Sequence, residues 1–306
     1  MIHHTINFDT LTIRDCLETF ELLKKELIVV IKKAPTNPLS FHRLVSGMSQ
    51  IANWAQCIWD TEGNYTGVPK EPLDPWSTDR VLVQRVTAKE KDDKPTGIFP
   101  KGKLDWHSNL NGPDRADGVG LQGYAGVEDT VTSWLDTAAA YDAMPQSLKD
   151  KIRYKYCSYT YNMARWADTP WHQDQRWKSL VNKMERKDDI YRMWIEQENI
   201  AGVKGLYFYT NNDLKIWDDD IGLYEELKEF LFQEKFIYHH EWDVGDIVLS
   251  DQLLTLHRRP LRPDAVFEKR ILHRLTFPIS NTSEPKFIIE KNKSCYSKKE
   301  LEIFWK

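Results

Sequence analysis

The stretch GDIVLSDQLLTLHRR at residues 245–259, continued by EKRILHR at 268–274, decides how this chain is read. A turn opens it, an apolar and β-branched run carries it to His257, and two arginines four residues apart close it. With the residues before it, FIYHHEWDVGDIVLSDQLLTLHR reads as a pair of strands turning at Asp243–Asp246. Arg270 follows His257 by enough chain for one turn and a return along the adjacent strand. In that strand Arg274 faces the same side as Arg270.

Two earlier segments complement this stretch. WHSN at 106–109 offers a second imidazole, and EDT at 128–130 offers a hydroxyl. His107 and His257 are so far apart in sequence that only a folded sheet brings them together. His107 lies just past the charged loop EKDDKPTGIFPKGK and His257 ends an apolar run, so both are expected at strand ends near one mouth. A histidine pair that leaves adjacent positions open lets iron accept a bidentate oxoacid and then dioxygen. A lone histidine is more often a satisfied polar residue, an isolated arginine an ion-pair residue, and Asp-Thr a helix cap. The ordered set is what favours the chemistry.

The order WHSN, EDT with AAYDAMPQSLKDKI, GDIVLSDQLLTLHR and KRILHR resembles the taurine dioxygenase family of iron(II)- and 2-oxoglutarate-dependent oxygenases, from about Val81 to Phe277. The resemblance implies an α+β chain with a mainly β core, a double-stranded β-helix or jelly roll with flanking helices. It implies iron(II) held by His107, Asn109 and His257, and 2-oxoglutarate held by Arg270 with Thr130 as the supporting hydroxyl. Arg274 takes the position that holds a substrate anion in the sulfonate-oxidising relative. The implied reaction is hydroxylation of a small molecule, for which Arg274 suggests an anionic group, coupled to decarboxylation of 2-oxoglutarate to succinate.

Asn109 departs from the family pattern, which places Asp there. Asp supplies an anionic oxygen, whereas the amide offers a neutral carbonyl oxygen and a competing NH2. Four readings stay open: a working variant that binds iron through the amide oxygen or water, a site where an anion such as chloride joins the metal, an inactive or regulatory relative, and an Asp→Asn exchange made to trap a complex. The alternatives to the oxygenase are therefore a non-catalytic jelly roll binding 2-oxoglutarate or another anion, and a halogenase. A rival HxD, His172 with Asp174, lies in the aromatic and charged segment 150–200, read as an insertion or lid. There Trp171 and His172 are expected to contact substrate, and Asp174 could complete a site with His107 and His257.

Composition bounds the rest. The 306 residues, 41% hydrophobic and 12% aromatic, suffice for one domain spanning 1–306, since no Gly/Ser/Pro-rich linker divides them. A net charge of −4 gives no broad basic surface, so a small molecule is the expected partner rather than duplex nucleic acid. The four cysteines share no CxxC spacing and read as reduced and buried. With no signal-peptide pattern and no apolar stretch long enough for a membrane span, the expected location is the cytoplasm. DCLETFELLKKELIVVIKKAP reads as a helix feeding a strand, PLSFHRLVSGMSQIANWAQ as a helix capped by Ser40, and DRVLVQRVTAK and KGLYFY as strands. IGLYEELKEFLFQ and the terminal CYSKKELEIFWK read as helices.

Overall fold

The computed structural model describes residues 1–48, 83–88, 90–91, 94–95, 103–109, 117–159, 190–208, 215–216, 221–279 and 288–290. Ten of its strands build two facing sheets: β1 (Ile2–His4), β2 (Ile28–Ile31), β3 (Gln84–Thr87), β4 (Leu104–His107), β5 (Gly118–Ala125), β6 (Val131–Asp136), β7 (Ile237–Glu241), β8 (Ile247–Asp251), β9 (Thr255–Arg259) and β10 (Ile271–Phe277). Six form one sheet in the order β1-β2-β8-β5-β10-β3, and four form the other in the order β7-β6-β9-β4. Neighbours are antiparallel except β1 and β2.

The opening behaves as its sequence predicts. Helix α1 (Ile13–Glu26) starts at a reciprocal capping box, with Thr12 Oγ1 accepting from Asp15 N and Asp15 Oδ2 accepting from Thr12 N at 2.8 Å. A left-handed Leu27, φ 62°, turns the chain into β2. All of β2 is buried, because Ile28 and Val30 face the opposite sheet while Val29 and Ile31 face the helices. A strand covered on both faces reads as an unbroken apolar run. Helix α2 (Pro38–Met48) is also present, but Ser40 lies inside it. Asn37 Oδ1 accepts the Ser40 N–H at 2.8 Å, so an amide one residue before the helix does the capping expected of Ser40. The remainder of that predicted helix lies outside the described residues.

The segment 237–274 departs from its reading. Strands β7 and β8 are not a hairpin: β7 pairs with β6 in the four-stranded sheet, whereas β8 pairs with β2 and β5 in the six-stranded one. The Asp243–Asp246 turn thus carries the chain from one sheet to the other. Gly245, at φ 88°, is required there, since a Cβ would stand 2.5 Å from Ala34 O. Lys32 Nζ bridges the turn, 2.6 Å from Asp246 and 3.1 Å from Asp243. The chain crosses back between β8 and β9, then again through helix α6 (Asp264–Lys269). β10 therefore faces β9 across the interior instead of lying beside it.

Three apolar layers follow from this arrangement. Helices α1 and α2 cover the outer face of the larger sheet, with Phe20, Leu23 and Phe41 among the buried side chains. Ile28, Val30, Leu121, Trp134, Trp242 and Val248 fill the space between the sheets. Helices α3 (Thr137–Asp142), α4 (Gln146–Ile152) and α5 (Ile221–Leu231) cover the smaller sheet through Leu135, Leu148, Leu227 and Leu256. The segment TAAAYDAMPQSLKDKI forms two helices, α3 and α4, separated at Pro145, which cannot donate to a continuing helix. The KGLYFY strand is confined to Lys204–Leu206, paired with Glu196–Glu198. In the expected insertion, Tyr156–Tyr159 and Ile190–Trp194 pair in a separate sheet, while 160–189 and the terminal CYSKKELEIFWK lie outside the described residues. Cys16 is buried as expected, its thiol pushed up to about 12 by burial. No helix among the described residues is long and apolar enough to cross a membrane.

Candidate active site

His107 ends β4 and His257 lies within β9, and the two are direct register partners. Antiparallel pairing places their side chains on the same, inner face of the smaller sheet, with ring centroids 4.2 Å apart and planes inclined by 49°. A β-bulge between His257 and Arg259 shifts the register just beyond the pair. His107 Nδ1 donates to Asp105 O at 2.7 Å, because a carbonyl can only accept. Its Nε2 is then the unprotonated nitrogen, with a lone pair for a metal.

Both rings are buried and neutral at ordinary pH. Burial pushes the His107 imidazole down to about 4, outweighing its bond to Asp105, with Arg274 and Arg259 adding to the depression. His257 is held well below its usual range by burial, then by His107 and Arg274. A neutral imidazole is the form that ligates. Trp134 stacks near His257, centroids 6.3 Å apart and planes at 26°, and its Nε1 donates to Ser250 Oγ at 3.2 Å.

Asn109 follows on the turn after β4 and lines the same cavity. Its backbone N–H donates to Gln252 Oε1 at 2.9 Å, and its buried Nδ2 has no hydrogen-bond partner among the described residues. Those residues contain no cluster of three or more His, Cys, Asp and Glu side chains that could hold a metal. What they offer an iron ion is two imidazoles and one neutral amide. The imidazole pair fits a divalent metal in proximity and protonation, and Asn109 is the amide that borders the same cavity.

The opposite wall is cationic. Arg270, at the junction of α6 and β10, is 1% exposed, and its Nε and Nη2 make no hydrogen bond among the described residues. Burial alone lowers its guanidinium to about 10. Arg259 is buried too, its pKa driven well down by burial and then by Arg270. Both guanidiniums lie over the Phe267 ring, at 4.8 Å for Arg259 and 5.1 Å for Arg270. Arg274 borders the same cavity, but no Asp or Glu among the described residues does. The buried Arg270 guanidinium, with Nε and Nη2 unbonded among the described residues, favours an anionic ligand. Arg258 borders the cavity as well, although its guanidinium lies 4.6 Å from the Trp106 ring in the outer apolar layer. The cavity opens to solvent, and together with its mouth it spans about 430 Å³ of empty space.

The expected residues meet only in part. His107, Asn109, His257, Arg270 and Arg274 border one cavity. Thr130 does not: it precedes β6, is buried, and its hydroxyl donates to Val127 O. The hydroxyl in the cavity is that of Thr132, two residues along on the inward face of β6. Thr132 Oγ1 accepts from Trp242 Nε1 at 2.9 Å, which leaves its own proton to donate. Trp171, His172 and Asp174 lie outside the described residues. Sequence reading missed Thr132, Arg259 and Gln252. The alternation of VTSWLD was the signal for Thr132, since it shares a face with Trp134.

Comparison with known proteins gives a consistent picture. Residues 5–276 match the profile described as taurine catabolism dioxygenase TauD, TfdA family. Pentalenolactone F synthase of Streptomyces avermitilis is 23% identical over 214 residues, 64% of this chain and 68% of that protein. The alpha-ketoglutarate-dependent 2,4-dichlorophenoxyacetate dioxygenase of Cupriavidus pinatubonensis is 28% identical over 133 residues, 42% of this chain and 43% of that protein. Among solved structures, AAD-2 in complex with Mn(II) and N-oxalylglycine superposes with a TM-score of 0.63 at 19% identity, covering 93% of this chain and 95% of that one. A taurine dioxygenase from Burkholderia xenovorans gives 0.59 at 14%, covering 90% and 87%.

Proposed function

Because the chain belongs to the TauD/TfdA dioxygenase family, whose enzymes use iron(II) and 2-oxoglutarate, we propose that it hydroxylates a small anionic molecule while converting 2-oxoglutarate to succinate and carbon dioxide. The observation that carries this reading is the neutral His107–His257 pair facing buried arginines across one cavity. We infer from the three successive sheet-to-sheet crossings that the two sheets form a double-stranded β-helix.

In this reading His107 Nε2, His257 and the Asn109 amide oxygen hold iron(II). Arg270 clamps the distal carboxylate of 2-oxoglutarate, as a buried guanidinium suits a planar anion. Thr132 takes the supporting role expected of Thr130, donating its hydroxyl proton to a carboxylate while one of its lone pairs accepts from Trp242 Nε1. Iron(II) with 2-oxoglutarate, when bound, would supply oxidation of an unactivated carbon at the expense of O2 and the 2-oxoacid. Leu121, Leu272 and Val86 exclude water along the apolar wall. Arg274 offers the substrate a cation, and the action of a relative on 2,4-dichlorophenoxyacetate, itself an anion, supports that class of substrate. Trp171 and His172 are proposed as further substrate contacts, and 150–200 as an insertion over the single domain.

The test is an anaerobic titration of apo-protein with iron(II) and 2-oxoglutarate, following the visible charge-transfer band, then oxygen with carboxylate, sulfonate and phosphonate candidates. Expected are the band and succinate formation that rises with the right anion. Absence of the band would remove the iron site. A band without succinate for any candidate would make the chain a binding protein.

A further inference from the structure

Gln252 is fully buried on the connection between β8 and β9, and each of its polar groups has a partner. Its backbone N–H donates to Asp117 O at 2.7 Å, and its carbonyl accepts the Ser108 hydroxyl at 2.6 Å. The side-chain Oε1 accepts the Asn109 N–H at 2.9 Å, and Nε2 donates to Ser250 Oγ at 2.9 Å. Ser250 Oγ also accepts Trp134 Nε1, and the Trp134 ring stacks near His257. One residue therefore grips both residues that follow His107, while standing on the segment that leads into His257 and reaching the ring beside it.

We propose that Gln252 is a positioning residue for the metal site: it fixes the Ser108–Asn109 turn so that the Asn109 side chain stands beside the histidine pair as the third donor. The strands alone do not do this. Pairing of β4 with β9 sets His107 against His257, but Asn109 lies past the end of β4, where no ladder bond holds it. An amide fits the position because the site asks for an acceptor toward Asn109 N–H and a donor toward Ser250 Oγ on one side chain. A neutral third donor binds metal weakly, so its placement weighs more than that of a charged carboxylate would. This rests on the reading of His107, Asn109 and His257 as metal donors.

The test uses cobalt(II) as the probe, titrated into the apo full chain, with its d–d absorption reporting coordination and thermal unfolding reporting the fold. Gln252→Leu is expected to weaken cobalt(II) binding about 10- to 100-fold, the usual cost of losing an outer partner of a metal ligand, and to change the d–d spectrum. Gln252→Asn keeps the amide but retracts it by one methylene, and should change the spectrum in the same way with a smaller loss of affinity. In an Asn109→Ala background, Gln252→Leu should add little, because the donor it positions is gone. Unchanged affinity and spectrum in both Gln252 variants, or an equal loss in the Asn109→Ala background, would overturn the proposal while leaving the metal site in place. No cobalt(II) binding by the unmodified chain would overturn the metal site and this inference together.

Discussion

His107 and His257 are register partners on adjacent antiparallel strands, so the sheet itself sets the separation of their rings at 4.2 Å. Backbone hydrogen bonds hold the strands, and the Nδ1 bond to Asp105 O fixes the His107 tautomer before any metal arrives. A site built on rigid strands in this way costs little reorganisation on binding. The proposed third donor, Asn109, is different, because it rests on a turn and a neutral amide.

That difference sets the first prediction. Asn109→Asp replaces a neutral donor by an anionic one facing two imidazoles and a cationic wall, and both contacts favour the charge. Metal affinity should rise by at least about 10-fold, on the scale by which ligand environments tune such sites. Competition titrations of manganese(II) or cobalt(II) against a chelator measure it. Equal affinities would show that position 109 does not touch the metal.

The second prediction concerns Arg270. Its desolvated guanidinium is a cost in the empty cavity and a gain once a carboxylate arrives. Arg270→Met should therefore leave the apo-protein as stable or more stable, while weakening 2-oxoglutarate binding by roughly 30-fold or more, the lower range for removing one partner of a buried charge pair. Calorimetry with the manganese(II)-loaded chain and 2-oxoglutarate reads the second effect, and thermal unfolding reads the first. A fall in apo stability with unchanged binding would assign Arg270 a structural role.

That His107, His257, Arg270 and Arg274 border one cavity was legible because they stand in short local patterns: a histidine at the end of an apolar run, another just past a charged loop, and arginines four residues apart leading into β10. The pairing of strands was not. A turn such as Asp243–Asp246 looks the same whether it closes a hairpin or carries the chain to a facing sheet, and only the partners β6 for β7 and β2 for β8 decide it. The family resemblance points to Thr130, whereas the threonine bordering the cavity is Thr132, on the inward face of β6. Gln252 carried no signal, since what sets it apart is its contacts with Ser108 and Asn109, remote in the chain.

Protonation provides the third prediction. His107 has an ordinary value of 6.5 and a folded value of about 4. Between these, the unfolded chain binds a proton that the folded chain refuses, so stability falls as pH drops. The contribution is fully present above about pH 6.5 and gone by about pH 4, on the order of 3 kcal/mol at about 1.4 per unit. His257 shifts in the same direction. Chemical denaturation of the apo-protein from pH 7 to 5 should show this slope, and His107→Asn should flatten it. An equal slope in the variant would mean that His107 takes up its proton without unfolding.

Thr130 and Thr132 form the last and most discriminating pair. Both are buried, and both hydroxyls have a partner, but with opposite consequences. Thr130 donates to Val127 O and so spends its proton within the turn before β6. Thr132 accepts from Trp242 and keeps its proton for the cavity. Thr130→Val should cost about 1 kcal/mol of stability, the typical worth of one hydrogen bond, with 2-oxoglutarate affinity unchanged. Thr132→Val leaves the Trp242 N–H without an acceptor, costing about 1–3 kcal/mol, and removes a hydroxyl donor from the co-substrate, so affinity should fall as well. Measuring both quantities on both variants separates the roles. If Thr130→Val weakened 2-oxoglutarate binding and Thr132→Val did not, the hydroxyl would belong to Thr130 after all, and the turn before β6 would have to rearrange when the ligand binds.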